Sequence, residues 1–228
     1  AQPINKITVH SKRYKSQIKG DLSILDKEIL HKELLECLDY NFVTIKTDVN
    51  VQNISRENSK EKFTHVTDKK GGIYKGKIFI DASGTSGVLS KKVGLLDKKY
   101  EVATGVEYNV KYLGNPNEMH IMVGKVYEGG YGWIFPLKNE RAIIGYGAYD
   151  AKLAKGLKES LNKIIELPNI KKLVIKDNEV VEGGTIPSTP VIEKFVLNNL
   201  VCVGDSVSQV NPIGGEGYKF IFEAAFMA

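Results

Sequence analysis

Cysteine is almost missing from this chain: 228 residues hold two, Cys37 and Cys202. Two isolated thiols, one on a predicted helix and one in an apolar strand, build no disulfide framework and fit a reduced protein. Histidine is scarce as well. His10, His31, His65 and His120 lie far apart, no Cys/His pair has ligand spacing, and nothing points to a metal centre. No apolar run approaches the roughly 20 residues of a membrane-crossing helix, and no signal peptide is visible. The Gly-x-Ser-x-Gly elbow of serine hydrolases is absent, since Gly84-Thr85-Ser86-Gly87 and Gly204-Asp205-Ser206-Val207-Ser208 each miss it by one position. No Gly-x-Gly-x-x-Gly turn, internal repeat or low-complexity tract occurs.

Charge of one sign is not in excess either. The 32 basic and 27 acidic side chains leave a net charge of +5. The lysines are scattered (Lys12, Lys15, Lys19, Lys69, Lys70, Lys98, Lys99, Lys171, Lys172) without the interleaved aromatics of a nucleic-acid surface. They read mostly as a solvated face with a mild attraction for anionic lipid headgroups. With 42% hydrophobic and 26% charged residues, the chain has the composition of a globular protein able to bury a core.

What is present concentrates in three stretches. Near the C-terminus the apolar run Leu200-Val201-Cys202-Val203 reads as a buried strand. It leads into Gly204-Asp205 and then Asn211-Pro212-Ile213-Gly214-Gly215-Glu216-Gly217, before a helix opening at Tyr218. An Asp can accept hydrogen bonds from sugar-like hydroxyls. Glycines let backbone approach a ligand, and a helix start offers unpaired N–H groups. Upstream, Ile78 to Ile80 run into Asp81-Ala82-Ser83-Gly84, with a helix predicted over Val88 to Val93. Taken alone, that stretch reads as a plain strand-to-helix turn. Third, Tyr131, Trp133 and Phe135 alternate ahead of Pro136, so the three rings share one face of a strand. Such a face is either an ordinary core or the wall for a large apolar ligand.

In this order the three stretches resemble the geranylgeranyl reductases, within the hydroxylase-like FAD oxidoreductases. Tyr131 to Pro136 stands as the family's Tyr-x-Trp-x-Phe-Pro pattern. Gly204-Asp205 and Pro212 to Gly217 stand as its Gly-Asp and Pro-x-x-Gly-x-Gly elements, and Asp81 to Gly84 is similar to its middle fingerprint. The resemblance implies an α/β FAD-binding, Rossmann-like domain at 1–98 and 187–228, interrupted by an antiparallel-sheet substrate domain at 99–186. The family opens with a Gly-x-Gly-x-x-Gly unit, so an internal piece of a longer protein is expected, with an incomplete FAD domain. In the family FAD lies extended, its ring between the two domains. Carried over, Asp205 holds ribityl or phosphate-side hydroxyls, the amides of Gly215 and Gly217 face the flavin's pyrimidine edge, and Pro212 fixes the loop. Gly204 and Gly214 belong to the same loop, with Asp81 and Gly84 nearer the dinucleotide end. Tyr131, Trp133, Phe135 and Pro136 form the substrate wall, and no proton donor is named.

The implied reaction is reduction of C=C bonds in a geranylgeranyl or isoprenoid lipid, with electrons from NAD(P)H or ferredoxin through the flavin. The implied setting is cytoplasmic with peripheral membrane contact. Two rivals remain open. One is a flavin monooxygenase or halogenase of the same superfamily. The other is a lipid-binding or degenerate piece without cofactor.

The pass along the chain adds particulars. Asp26 is predicted to cap a helix running to about Asp39. Strands are expected at Phe42 to Lys46 and Val49 to Val51, with a return through Phe63 to Val66 after a tip over Ser55 to Lys62. Strands follow at Val102 to Val110, Met119 to Val126, Tyr131 to Phe135 and Ala142 to Tyr149. Leu153, Leu157, Leu161, Ile164 and Ile165 mark an amphipathic helix covering that meander.

Overall fold

The computed structural model describes residues 1–57, 61–96, 101–150, 152–178, 180–190, 192–211 and 214–227. In chain order, β1 (Gln2–His10) turns into β2 (Lys15–Ile24), and α1 (Lys27–Glu36) follows. Next come β3 (Val51–Ser55), β4 (His65–Asp68), β5 (Ile73–Lys75), β6 (Phe79–Asp81) and α2 (Val88–Lys92). The long strands are β7 (Val102–Tyr112), β8 (Glu118–Met122), β9 (Gly130–Pro136) and β10 (Arg141–Ala148). After α3 (Leu157–Ile165), α4 (Pro168–Lys171) and β11 (Val174–Ile175), β12 (Glu182–Pro187) leads to β13 (Val196–Leu197), β14 (Leu200–Cys202) and α5 (Tyr218–Met227). The chain is a mixed α/β protein of two compact units, Ala1–Val43 with Ala103–Gly184 and Thr44–Val102 with Thr185–Ala228.

The first unit is built on the sheet β11-β7-β10-β9-β8-β1-β2, with β12 also paired to β7. Alternation decides its faces. Tyr108, Val110 and Tyr112 of β7, Ile134 of β9, and Ala142, Ile144 and Tyr146 of β10 turn to the covered side. Leu157, Leu161, Ile164 and Ile165 of α3 pack onto them there. These helical positions recur at i, i+4, i+7 and i+8, the stripe that faces a core. The sequence reading groups residues 1–98 together, whereas residues 1–43 belong to this sheet unit. The cause is β1, which pairs in parallel with β8 from Lys6↔Glu118 to His10↔Met122. Among the antiparallel neighbours of the meander, such a long-range parallel pair leaves no local sequence signature.

The second unit joins a parallel pair, β6 and β14 in register Cys202↔Asp81, to an antiparallel trio, β3-β4-β5. Phe63, Phe79, Leu89, Leu200, Cys202 and Val207 form its core. Asn199 stitches the pieces: its Nδ2 donates to the carbonyls of Phe63 and Lys77 at 2.9 Å, and its Oδ1 accepts from Phe63 N at 2.8 Å.

Three expected strands differ, the one expected over Val49 to Val51 beginning only at Val51 as β3. Phe42 to Lys46 has no regular structure, because the N–H groups of Phe42 and Val43 both turn back to the Asp39 carbonyl at 3.0 Å. The strand expected to reach Val126 stops at Met122, since Gly124 at φ 123° breaks it and a short 3-10 turn takes Lys125 to Tyr127. Asp26 caps α1 as expected, accepting from Ile29 N at 3.2 Å. No helix among the described residues is long and apolar enough to cross a membrane.

Candidate functional site

The loop after β14 begins at Gly204, whose φ of 66° lies where L side chains are strained. Gln209 holds that turn by accepting the Gly204 N–H on Oε1 at 2.6 Å. Ser206 Oγ, buried, lies 2.8 Å from the Asp81 carbonyl and 2.7 Å from that of Val203, which ties the loop to the end of β6. Between these anchors Asp205 is left over. Its half-buried carboxylate accepts no hydrogen bond among the described residues, and burial pushes its pKa up. A methyl group on Gly217 would stand 3.9 Å from Asp205 Oδ1, so carboxylate and glycine loop adjoin. A desolvated carboxylate without a partner is costly unless a ligand satisfies it.

The glycine loop folds on itself more than the sequence suggests. Gly215 N donates to the Asn211 carbonyl at 2.8 Å and Gly214 N to Asn211 Oδ1 at 3.1 Å, so the Gly215 amide is already spent. Gly217, Lys219 and Phe220 keep N–H groups with no acceptor among the described residues, at the start of α5. The unspent donors therefore belong to Gly217 and the first helical turn, not to Gly215. Pro212 lies outside the described residues.

Asp81 differs from Asp205 in kind. It is 2% exposed, and its Oδ2 accepts from Leu89 N at 2.9 Å and Ser90 N at 2.7 Å, its Oδ1 from Ser83 N at 3.0 Å. The carboxylate is consumed in anchoring the start of α2. The cofactor role expected of its side chain gives way to this backbone role. Gly84 opens the short turn that follows, at φ 64° with open space beside its Cα. Beside this element a cavity of about 910 Å³ is lined by Asp48, Asn50, Lys70, Ile80, Asp81 and Ser83, all of the second unit.

In the first unit the aromatic face is real and has a floor. Tyr131, Trp133 and Phe135 are half-buried on the side of the sheet away from α3. The Trp133 ring stacks on Phe135 at 6.0 Å and tilts against Tyr131 at 5.7 Å. It lies across Gly145: a Cβ there would fall 2.2 Å from its Cε2 and Cζ2. The same ring reaches Gly105 and Gly147, whose added carbons would meet it at 3.2 and 3.3 Å. Trp133 Nε1 is buried with no hydrogen-bond partner among the described residues. Pro136 departs from the expected wall, because strand alternation turns it, buried, to the covered side with Ile134.

Sequence reasoning did not find a polar cluster on that covered side. His10 Nε2 lies 3.0 Å from His120 Nδ1, and His120 Nε2 lies 3.0 Å from the Tyr112 hydroxyl. Next to them Glu118 pairs with Lys6 Nζ at 2.6 Å and accepts from Thr8 Oγ1. Its only signature is the pairing of β1 with β8. Burial, then the neighbouring His10, pushes the 4%-exposed His120 down to about 4. His120 is therefore neutral in the fold, whereas an unfolded histidine takes up a proton near pH 6.5. As pH falls from 6.5 to 4 the unfolded chain binds that proton first, and about 3 kcal/mol of stability is expected to be lost. His10, pushed down by burial and by Lys15, adds in the same direction. Urea midpoints across this range should slope steeply in the wild type and less in His120→Gln; equal slopes would remove His120 as the source.

No protein-family model matches the chain. A digeranylgeranylglycerophospholipid reductase of Methanococcus aeolicus is 35% identical over 165 residues, which cover 69% of this chain and 41% of that protein. The protein of the same name from Methanocaldococcus jannaschii is also 35% identical over 165 residues, covering 68% and 41%. Among solved structures, a geranylgeranyl bacteriochlorophyll reductase-like protein of Thermoplasma acidophilum superposes with a TM-score of 0.77 at 17% identity, over 98% of this chain and 61% of that one. A myxobacterial chondrochloren halogenase, described as a variant of FAD-dependent halogenases, gives 0.69 at 16% identity over 99% and 58%. At these identities the structural likeness is one of fold. The matched stretch is about two-fifths of the length of the curated relatives.

Proposed function

We propose, from a chain that belongs to the family of digeranylgeranylglycerophospholipid reductases, that it contributes flavin- and lipid-binding surfaces to reduction of isoprenoid C=C bonds. The observation that carries this reading is Asp205, a half-buried carboxylate without a partner among the described residues, beside N–H groups unspent among them. An orphan acceptor next to orphan donors suits a ligand with hydroxyls at one point and electron-rich carbonyls or anionic oxygens at another. FAD has that chemistry, and these residues fit it. Asp205 would accept from its hydroxyls, while Gly217, Lys219 and Phe220 would donate main-chain N–H groups with the helix dipole behind them. When bound, the flavin supplies the electron pair that reduces the double bond.

The chain's own part is to bind, orient and exclude water. Tyr131, Trp133 and Phe135 offer an isoprenoid a half-buried apolar wall within the first unit. NAD(P)H or ferredoxin remains the proposed source of electrons, and the substrate carries prenyl chains on a phospholipid.

The test is a pair of titrations of the protein. Asp205→Ala is expected to weaken FAD binding by about 10- to 100-fold, the range of losing one or two hydrogen bonds to a charged group, with little change in isoprenoid affinity. Trp133→Ala is expected to do the reverse. Equal loss of both ligands in either variant would refute the division of roles. Isoprenoid turnover without oxygen consumption separates a reductase from the monooxygenase and halogenase chemistry that shares the fold.

A further inference from the structure

The geometry points to one end of the first unit's sheet as its docking surface for an anionic lipid bilayer. The tip between β1 and β2 is a tight turn. Ser11 N donates to the Tyr14 carbonyl at 2.8 Å, and Tyr14 N donates to Ser11 Oγ at 3.1 Å. That closed turn presents Lys12, Arg13 and Lys15 to solvent, with Tyr14 between them at 76% exposure. The segment after β8 lies against it, joined by Val123 N donating to the His10 carbonyl at 2.9 Å. It adds exposed Lys125 and two outward apolar side chains, Val123 at 38% and Val126 at 54%.

Charge here is one-sided. Across β1, β2 and residues 123–130 the only acidic residues are Asp21 and Glu128, and neither lies in the tip. Lysines on an edge hairpin ordinarily do no more than keep other strands away. That role does not call for an aromatic and two valines turned outward among them. Cations ringing an exposed tyrosine and small apolar side chains match the headgroup layer, where lipid phosphates meet the cations and rings settle at the interface.

Register ties this end to the aromatic face. His10 pairs with Met122, Met122 with Gly132, and Ile121 with Trp133. Tyr131 and Trp133 thus lie towards the tip, and Phe135 lies further along the strand. A lipid held by its phosphate at the tip could lay its chain along Tyr131, then Trp133, then Phe135. This last point rests on the lipid-reductase reading; the bilayer contact itself does not.

The experiment is co-sedimentation of the 228-residue chain with vesicles of phosphatidylglycerol or of phosphatidylcholine at low salt. The wild type is expected to bind phosphatidylglycerol and to be released by high salt. The triple variant Lys12→Glu, Arg13→Glu, Lys15→Glu should bind on the order of 100-fold more weakly. A control with the same charge change on the exposed Lys158, Lys163 and Lys172 should keep its affinity, and Tyr14→Ala should bind more weakly at unchanged charge. Circular dichroism of each variant checks folding. Three results overturn the proposal: a wild type that ignores phosphatidylglycerol, equal binding to both lipids, or equal loss in the tip and control variants. Failure of the reductase reading would instead appear in the FAD and isoprenoid titrations, and none of the vesicle results depends on those ligands.

Discussion

Asp81→Ala is expected to cost the second unit about 4 kcal/mol, because three backbone N–H groups, those of Leu89 and Ser90 buried, lose their acceptor at once. The substitution leaves Ser83, Leu89 and Ser90 facing a small cavity in place of a carboxylate, at a position 2% exposed. Two neighbouring side chains are poor substitutes for the carboxylate. The Ser206 hydroxyl is engaged with the Asp81 and Val203 carbonyls, and Cys202, opposite Asp81 in the sheet, is a poor hydrogen-bonding partner. Asp81→Asn keeps one carbonyl oxygen and should lose roughly half as much. Urea unfolding followed by far-ultraviolet circular dichroism measures both. A cofactor-binding role for this side chain makes the opposite forecast: unchanged stability and a loss of flavin affinity in the folded protein. An unshifted midpoint in Asp81→Ala would return Asp81 to the cofactor.

That contrast shows which parts of the site could be read from the sequence. Asp81 and Asp205 both follow a short apolar run, and both read as ligand-facing carboxylates. They part ways only in three dimensions, where α2 starts directly over Asp81 and no N–H group among the described residues reaches Asp205. The start of α5 was legible from its glycines, but which amides stay free was not. Asn211 takes the Gly214 and Gly215 donors, and only loop geometry shows it. Strand alternation, a local period of two, revealed the shared face of Tyr131, Trp133 and Phe135. Read as a block, the same motif carried Pro136 along, and the same alternation sends it to the other side. What escaped depends on pairing between distant strands. Examples are the addition of β1 to β8, the histidine cluster that this addition assembles, and the glycines under Trp133.

Those glycines lead to the second large expected effect. Gly145→Ala should expel the Trp133 ring from the sheet. Position 145 lies directly across from Trp133 in the β9–β10 register, and the new methyl group would sit 2.2 Å from two ring carbons and 2.6 Å from Nε1. Backbone on both sides is held by the ladder, so the ring must move, and its stacking on Phe135 and Tyr131 is disturbed with it. Overpacking of this kind costs about 1–3 kcal/mol. Gly147→Ala and Gly105→Ala, with contacts at 3.3 and 3.2 Å, require a shift of only a few tenths of an ångström and should cost much less. Because Trp133 is the chain's single tryptophan, its emission reports the displacement directly. A red shift with readier acrylamide quenching is expected in Gly145→Ala, and nearly wild-type emission in Gly147→Ala. Stability should return when Trp133→Ala is combined with Gly145→Ala, since the clash then has no second partner, and the size of that recovery measures the coupling between the two positions. Unchanged emission in Gly145→Ala would mean that the ring does not rest on Gly145, and the floor of the proposed isoprenoid wall would have to be sought elsewhere on the sheet.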